Sequence, residues 1–308
     1  QNQPGARVGR PIIIPGLFDG RNKAFFFVNY EEERIPREIT RTRTIFHPRA
    51  EQGVYRYTAG GQTREVNLLA LAAANGQLAT MDPLIAGLLS KIRSATGTTG
   101  SVTDDTNPLT QSYRYNVPVN SLNRFPTFRV DYNVTDRHRA SVAWHRNQFN
   151  TFPDTLNSRE ARFPGFPVAA GQSSTRLSWS NSLRSTLGRN FVNEARVAYA
   201  SSPVVFFKEL GTGTSFNRDI FKDEGGFFLD FPLVTAPSAS PIPQGRNAWN
   251  LLFENSISWL KGSHSITAGG SLTQFQITSY VSSLVPRVAF DVLTGDPAFS
   301  LFSGSGGA

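Results

Sequence analysis

The sequence predicts an all-β fold: an antiparallel up-and-down β-barrel segment of about eight long strands arranged as four hairpins, with long loops carrying one or two short helices. Three observations lead there. Apolar and polar residues alternate over runs of ten or more positions, where an ordinary strand has about five or six. Every short connection falls at one end of these runs and every long one at the other. Helical periodicity is confined to one long connection.

The first hairpin pairs Arg7–Ile14 with Lys23–Arg34 across "PGLFDGRN". The second pairs Phe125–Val134 with Arg139–Phe149 across "TDRH". The third pairs Thr175–Leu187 with Phe191–Ser201 across "GRN". The fourth pairs Ala248–Leu260 with His264–Tyr280 across "KGS". Asp, Asn and Gly supply ordinary turn chemistry at these joints. Residues 47–110, 150–174 and 202–247 are rich in Gly, Pro, Ser, Thr and Asn and read as long loops. Connections this long are uncommon in a compact domain unless they carry function.

In the first of these loops, "MDPLIAGLLSKIRSA" predicts a helix. Asp82 is placed to cap it and Pro83 occupies the first turn. Leu84, Ile85, Leu88, Leu89 and Ile92 share a face. "VNLLALAAANG" predicts a shorter helix stopped at Asn75-Gly76. Both are expected to pack as a loop subdomain.

The alternation has a direction. Phe128, Val130, Tyr132 and Val134 share one face, against Arg129, Asp131 and Asn133. Leu177, Trp179 and Leu183 oppose Arg176, Ser178, Ser180, Ser182 and Arg184. Ala195, Val197 and Tyr199 oppose Glu194 and Arg196. Transmembrane barrels require apolar-out, polar-in strands, short turns on one side and long loops on the other. Aromatics lie where interfacial girdles belong. Tyr132, Phe191 and Trp259 are near short turns, and Tyr30, Tyr199 and Trp249 lie toward the long loops. After Leu272 the apolar parity slips to Phe275 and Ile277. A bulge near Thr273-Gln274 or an exit from the membrane is expected there.

Net charge is +8. A basic balance suits nucleic acid when the charge is clustered. Here the arginines occur singly within strands, no zinc-finger spacing or basic helix is present, and no nucleic-acid partner is expected. There is no cysteine, hence no disulfide framework or thiolate chemistry. No apolar run reaches the roughly 18 residues of a spanning helix.

Several stretches resemble Oar-like TonB-dependent receptors of the acidobacterial type. "GRPIIIPGLFDGRNKAFFFVNYEEERIPRE" is similar to the start of that family's barrel, with Lys23, Phe25, Phe26, Phe27, Asn29, Tyr30, Glu31 and Arg34 matching and Arg10 in place of a usual Gly. "NRFPTFRVDYNVTDRHRASVAWHRNQF" resembles the next hairpin; "FPGFP", "FVNEARVAY" and "SWLKGSHSITAGG" are similar too. The resemblance implies a receptor or transporter in the outer membrane of a Gram-negative bacterium, binding or importing an unidentified ligand. It implies partnership with outer-membrane lipid, and with the TonB system through parts outside this sequence. Residues 1–308 are then a partial barrel domain, with the plug and the carboxypeptidase-regulatory-like domain elsewhere, from a barrel of about 22 strands. The end, "FSGSGGA", is expected to interrupt a loop.

No nucleophile elbow, phosphate loop or dinucleotide fingerprint occurs, so no enzyme and no cofactor are expected. His47, His138, His145 and His264 do not stand at ligand spacing. Asp104-Asp105-Thr106-Asn107 offers oxygens without the spacing of a calcium loop. Candidate ligand contacts are the loop aromatics Phe163, Phe166, Phe227, Phe228 and Phe231. A second reading belongs to another class. Open strand edges template pairing with other chains, so the segment would self-assemble into an extracellular fibre or tube, a homo-oligomer joined edge to edge.

The parity makes a prediction. Val130→Arg should impair assembly by about 2–4 kcal/mol if the position lies near the bilayer midplane. Asp131→Arg, on the opposite face, should be tolerated. A lipid-attached quencher should reach a fluorophore at 130 and miss one at 131; equal protection at both would refute the lipid-facing assignment.

Overall fold

The computed structural model describes residues 1–168, 170–206, 218–239, 242–282 and 287–290; the stretch Phe302–Ala308, expected to interrupt a loop, lies outside them. Nine long segments build the wall: β1 (Gly5–Pro11), β2 (Ala24–Phe46), β3 (Thr110–Arg124), β4 (Thr127–Thr135), β5 (His138–Thr151), β6 (Gln172–Gly188), β7 (Phe191–Ser201), β8 (Gln244–Lys261) and β9 (His264–Val281). They lie in one antiparallel sheet of 11 strands. The other two members are short, Ser101–Asp104 on β3 and Val204–Phe206 beside β6 and β8.

β3 and β4 act as one strand. Both pair with β2 in a single unbroken register, from Phe46 opposite Thr110 to Ala24 opposite Tyr132. The interruption is Pro126, which has no N–H to give the ladder, although Phe125 N–H still reaches Glu31 O at 2.8 Å and Arg146 N–H reaches Pro126 O at 3.0 Å. Counting β3 and β4 together leaves eight wall strands in chain order, the expected up-and-down meander.

The four hairpins form as predicted, and Gly262 takes φ +60° in the tight turn between β8 and β9. Two expectations need correction. The first hairpin does not end at Arg34: β2 continues to Phe46, 23 residues in all, and pairs there with β3, a strand that the alternation does not predict. The second concerns Thr273-Gln274. Of the two alternatives, a bulge or an exit from the membrane, the bulge does not form: β9 pairs with β8 without a register shift from His264 to Val281. Phe275 and Ile277 therefore lie on the polar parity, opposite Asn250 and Ala248.

The long loops fold over the polar-parity face of the β2–β3 extension. The helix Pro83–Thr96 is capped by Asp82, whose carboxylate accepts from Leu84 and Ile85 N–H. The shorter helix, Leu68–Ala74, ends at Asn75, and Gly76 follows at φ +67°. Leu88, Ile92 and Ala95 pack with Ile45, Tyr113, Tyr115, Phe163, Phe166 and Leu229 in one apolar core. Arg93 ties the helix to Glu51 at 2.9 Å and to the backbone oxygen of Phe46. Burial of this set is what gives a Gly- and Pro-rich loop a fixed shape.

An ion cluster fastens the 152–168 loop to β2. Glu160, 1% exposed, receives Arg41 Nε at 2.8 Å and Arg43 Nη2 at 2.6 Å. Arg41 also donates to Thr155 O and Arg43 to Arg162 O. Among the described residues, β1 and β9 share no ladder, so the sheet has two unpaired edges. All 18 residues of β9 are exposed.

Removing one partner of a buried ion pair leaves the other charge uncompensated, at about 3–5 kcal/mol. Glu160→Gln should therefore loosen the loop layer and not the wall. Limited proteolysis should cut faster between residues 152 and 168 while heat-modifiable migration of the full-length protein persists. An unchanged cleavage rate would show that the apolar core alone holds the loop.

Candidate functional site

The inner face of the wall collects the polar parity of every strand. Near the short turns it forms a charge ladder, β4 to β8, around a cleft of about 250 Å³. Asp131 receives both Nε and Nη2 of Arg129, at 2.8 and 2.9 Å, and lies 3.6 Å from Arg139. Arg184 meets Glu194 at 3.3 Å and Arg196 meets Glu254 at 3.4 Å. Ser141 and Ser182 share a hydrogen bond of 2.6 Å across β5 and β6. Arg139 stands directly opposite Arg184. Four guanidiniums face three carboxylates here, so the ladder is cationic where the two arginines meet.

Further along the strands the inner face is built of small residues, Ala143, Ser178, Ser180, Ala198 and Ala200. Beyond these, toward the long loops, lies an open groove of about 440 Å³. Ala248, Phe275 and Ile277 give it an apolar floor, and His145, Arg176 and Asn250 give it polar margins. A second hollow of about 290 Å³ lies under Leu156, lined by Asn123, Asn147, Phe149, Gln172, Ser174 and Arg176. The side-chain oxygens of Asn123 and Asn147 are buried there without a hydrogen-bond partner, an unusual state for buried polar atoms. Arg176 borders both hollows.

The outer face carries the apolar parity. Trp144 stands opposite Trp179; Trp179 stacks on Tyr199 at 6.1 Å and Tyr199 on Trp249 at 6.3 Å. Phe191 lies opposite Trp259 near the short turns. From Phe191 to Tyr199 the chain advances about 26 Å along the strand, or roughly 20 Å in height at a barrel's tilt, against an apolar band of about 25 Å. The face is not uniformly apolar. Asn193 and Asn255 lie on it, and they hydrogen-bond each other at 2.9 Å. Trp144 was not among the girdle residues foreseen from sequence.

The loop aromatics are placed differently from expectation. Phe163 and Phe166 are buried in the apolar core, their rings 5.4 Å apart. Phe228 is buried against Phe221. Phe231 packs on the core and stacks on Phe290 at 5.1 Å. Of the five, Phe227 alone is exposed. Four of the proposed contacts are thus packing residues, because a loop without regular strands needs an apolar centre of its own. Arg162, beside this centre, is shifted down to about 10 by burial and by Arg43 and Arg159.

His138 and His145 hydrogen-bond Ser185 and Thr127, and His47 caps a short helix turn. Asp105 accepts from Thr110 and Ser112 at the start of β3. Among the described residues, no group of three or more His, Asp or Glu side chains is arranged to hold a metal. No described helix is long and apolar enough to cross a membrane, which says nothing of a β-barrel.

A family model described as outer membrane beta barrel domain matches residues 1–302, and the chain belongs to that family. It is a β-barrel protein of the outer membrane. No characterised protein and no solved structure matched the chain.

The ladder revises the choice of test residue. Asp131→Arg would set three guanidiniums together, so it is no longer a neutral inner-face change. Ser256→Arg points into the cleft opposite Glu194 and gains a carboxylate partner; its effect should stay within about 1 kcal/mol. Val142→Arg, on the outward face of β5, should cost about 2–4 kcal/mol near the midplane. Denaturant titration of the full-length protein in lipid vesicles measures both, and equal losses would overturn the assignment of faces.

Proposed function

We propose that the chain forms part of the barrel of an Oar-like TonB-dependent receptor, which binds a ligand at the cell surface and takes it up. The observation that carries this reading is the inner groove beneath the loop layer. Its apolar floor of Phe275 and Ile277, with Arg176 and His145 at the margin, suits an amphipathic ligand bearing an anionic group. The motif resemblance around "KAFFFVNYEEER" and "NRFPTFRVDYNVTDRHR" supports the same family of receptors. Binding and passage need no catalytic group, and we assign none. Nucleic acid is not among the proposed partners, because three of the ladder's four guanidiniums are each paired with a carboxylate and the arginines stand singly along the strands.

The full-length protein, sorted to the outer membrane and heat-modifiable in detergent, should bind the purified periplasmic domain of a TonB protein. A folded full-length barrel that ignores that domain would sink the receptor reading and leave the family assignment intact. A second reading, edge-to-edge assembly into a fibre or tube, has one observation in its favour: the unpaired edges of β1 and β9. Filaments in negative-stain images of the purified full-length protein would select it over single detergent-embedded barrels.

A further inference from the structure

On the outward face, just beyond the aromatic belt, the wall turns cationic. Arg146 follows Trp144 by two residues on β5, so it points to the same side about 6–7 Å further toward the long loops. Its register partner on β6 is Leu177. Its Nε is buried with no hydrogen-bond partner, and no carboxylate pairs with it among the described residues. On the adjoining strands, Arg124 stands opposite both Gln148 and Glu32. That makes Arg124 a diagonal neighbour of Arg146, with Cα atoms about 7–8 Å apart. Glu32 takes Arg34 and, at 3.5 Å, Arg124, and it accepts from Tyr30 Oη at 3.0 Å. Three guanidiniums therefore lie in this stretch with one carboxylate, which pairs with two of them. A groove of about 400 Å³ runs beside Arg34 and Arg124, on their long-loop side, with Pro36 and Leu122 in its wall.

We propose that Arg34, Arg124 and Arg146 hold the phosphate of an anionic lipid headgroup at the surface of the membrane. The level is right, because aromatic belts mark the boundary between hydrocarbon and headgroups. So is the chemistry. A guanidinium fork matches phosphate oxygens in two-point geometry, and clustered arginines beside a membrane attract anionic headgroups. Arg146 gains the acceptor that the protein withholds. The inference depends on membrane placement alone, not on the receptor reading, so either can fail without the other.

The test uses the full-length protein in neutral maltoside micelles and native mass spectrometry. Probes are phosphatidic acid, phosphatidylcholine of matched chains, and inorganic phosphate. Phosphatidic acid should be retained in preference to phosphatidylcholine, and Arg124→Gln/Arg146→Gln should weaken its binding by about fivefold or more, with Arg64→Gln, in a distant loop hairpin, unchanged. If the double variant loses heat-modifiable migration, Arg146→Lys replaces it. That change keeps the charge but removes the fork, and should weaken binding by about two- to threefold. Undiminished binding in the variant that folds would overturn the proposal. So would equal retention of the two lipids, or full competition by inorganic phosphate at equal concentration, which would indicate a bare anion site.

Discussion

Hydrocarbon offers no hydrogen-bond partner, so every backbone N–H and C=O that crosses it must be paired within the sheet. Most of this molecule follows from that requirement. Strands must be long enough to cross, and β8 and β9 stay in one register for 18 residues each. Their joints on one side must be minimal, and a turn such as Gly262-Ser263 is as short as a hairpin permits. Even Pro126, which removes a donor in mid-sheet, falls beyond the aromatic belt, on the loop side of Phe128, where a missing ladder bond costs less than at the bilayer centre.

With the backbone satisfied, the side chains are free to differ by face. The outward parity meets lipid and is dominated by Val, Leu, Phe and Trp. The inward parity meets water and holds an alternating set of arginines and carboxylates, most of them about half exposed. Exposed pairs of this kind contribute little stability each. Their consequence lies in the electrostatic profile of the lumen: Arg139 and Arg184 face one another across β5 and β6, so the wall is attractive to anions at that point and nearly balanced on either side.

How much of this was legible in the sequence depended on what each face had to meet. Where one face meets lipid, as in Phe128 to Val134, alternation is enforced and strands could be read to within a few residues. Beyond the membrane the constraint lapses. In β2 from Arg37 to Thr44 both parities are polar, and β3 mixes Tyr113 and Tyr115 with Arg114 and Asn116, so neither registered as a strand. The loop phenylalanines looked exposed because Gly and Pro surround them, yet Phe163 is fully buried. Its partners Tyr113 and Ile92 lie 50 or more residues away and only the fold brings them together. Phe275 and Ile277 looked like a parity slip because one strand was read alone. Seen beside Ala248 and Asn250 they form an apolar floor on the inner face.

The loop layer and the wall are joined by different physics, and this bears on function. Wall strands are held by ladders that persist in lipid or water. The layer above is held by one apolar core and by the buried Glu160 with its two arginines, a set in which loss of Glu160 leaves both arginines without their carboxylate. The groove at Arg176, Phe275 and Ile277 lies on the inner face of the wall, and the hollow beside it runs under Leu156 of the 152–168 loop. The hollow is therefore bounded by the sheet on one side and by that loop on the other. Segments that open for ligands come from the less stable part of a structure. Among the described residues, the loop fastened through Glu160 can open by releasing side-chain bonds from Arg41 and Arg43 while the wall's backbone ladder stays intact.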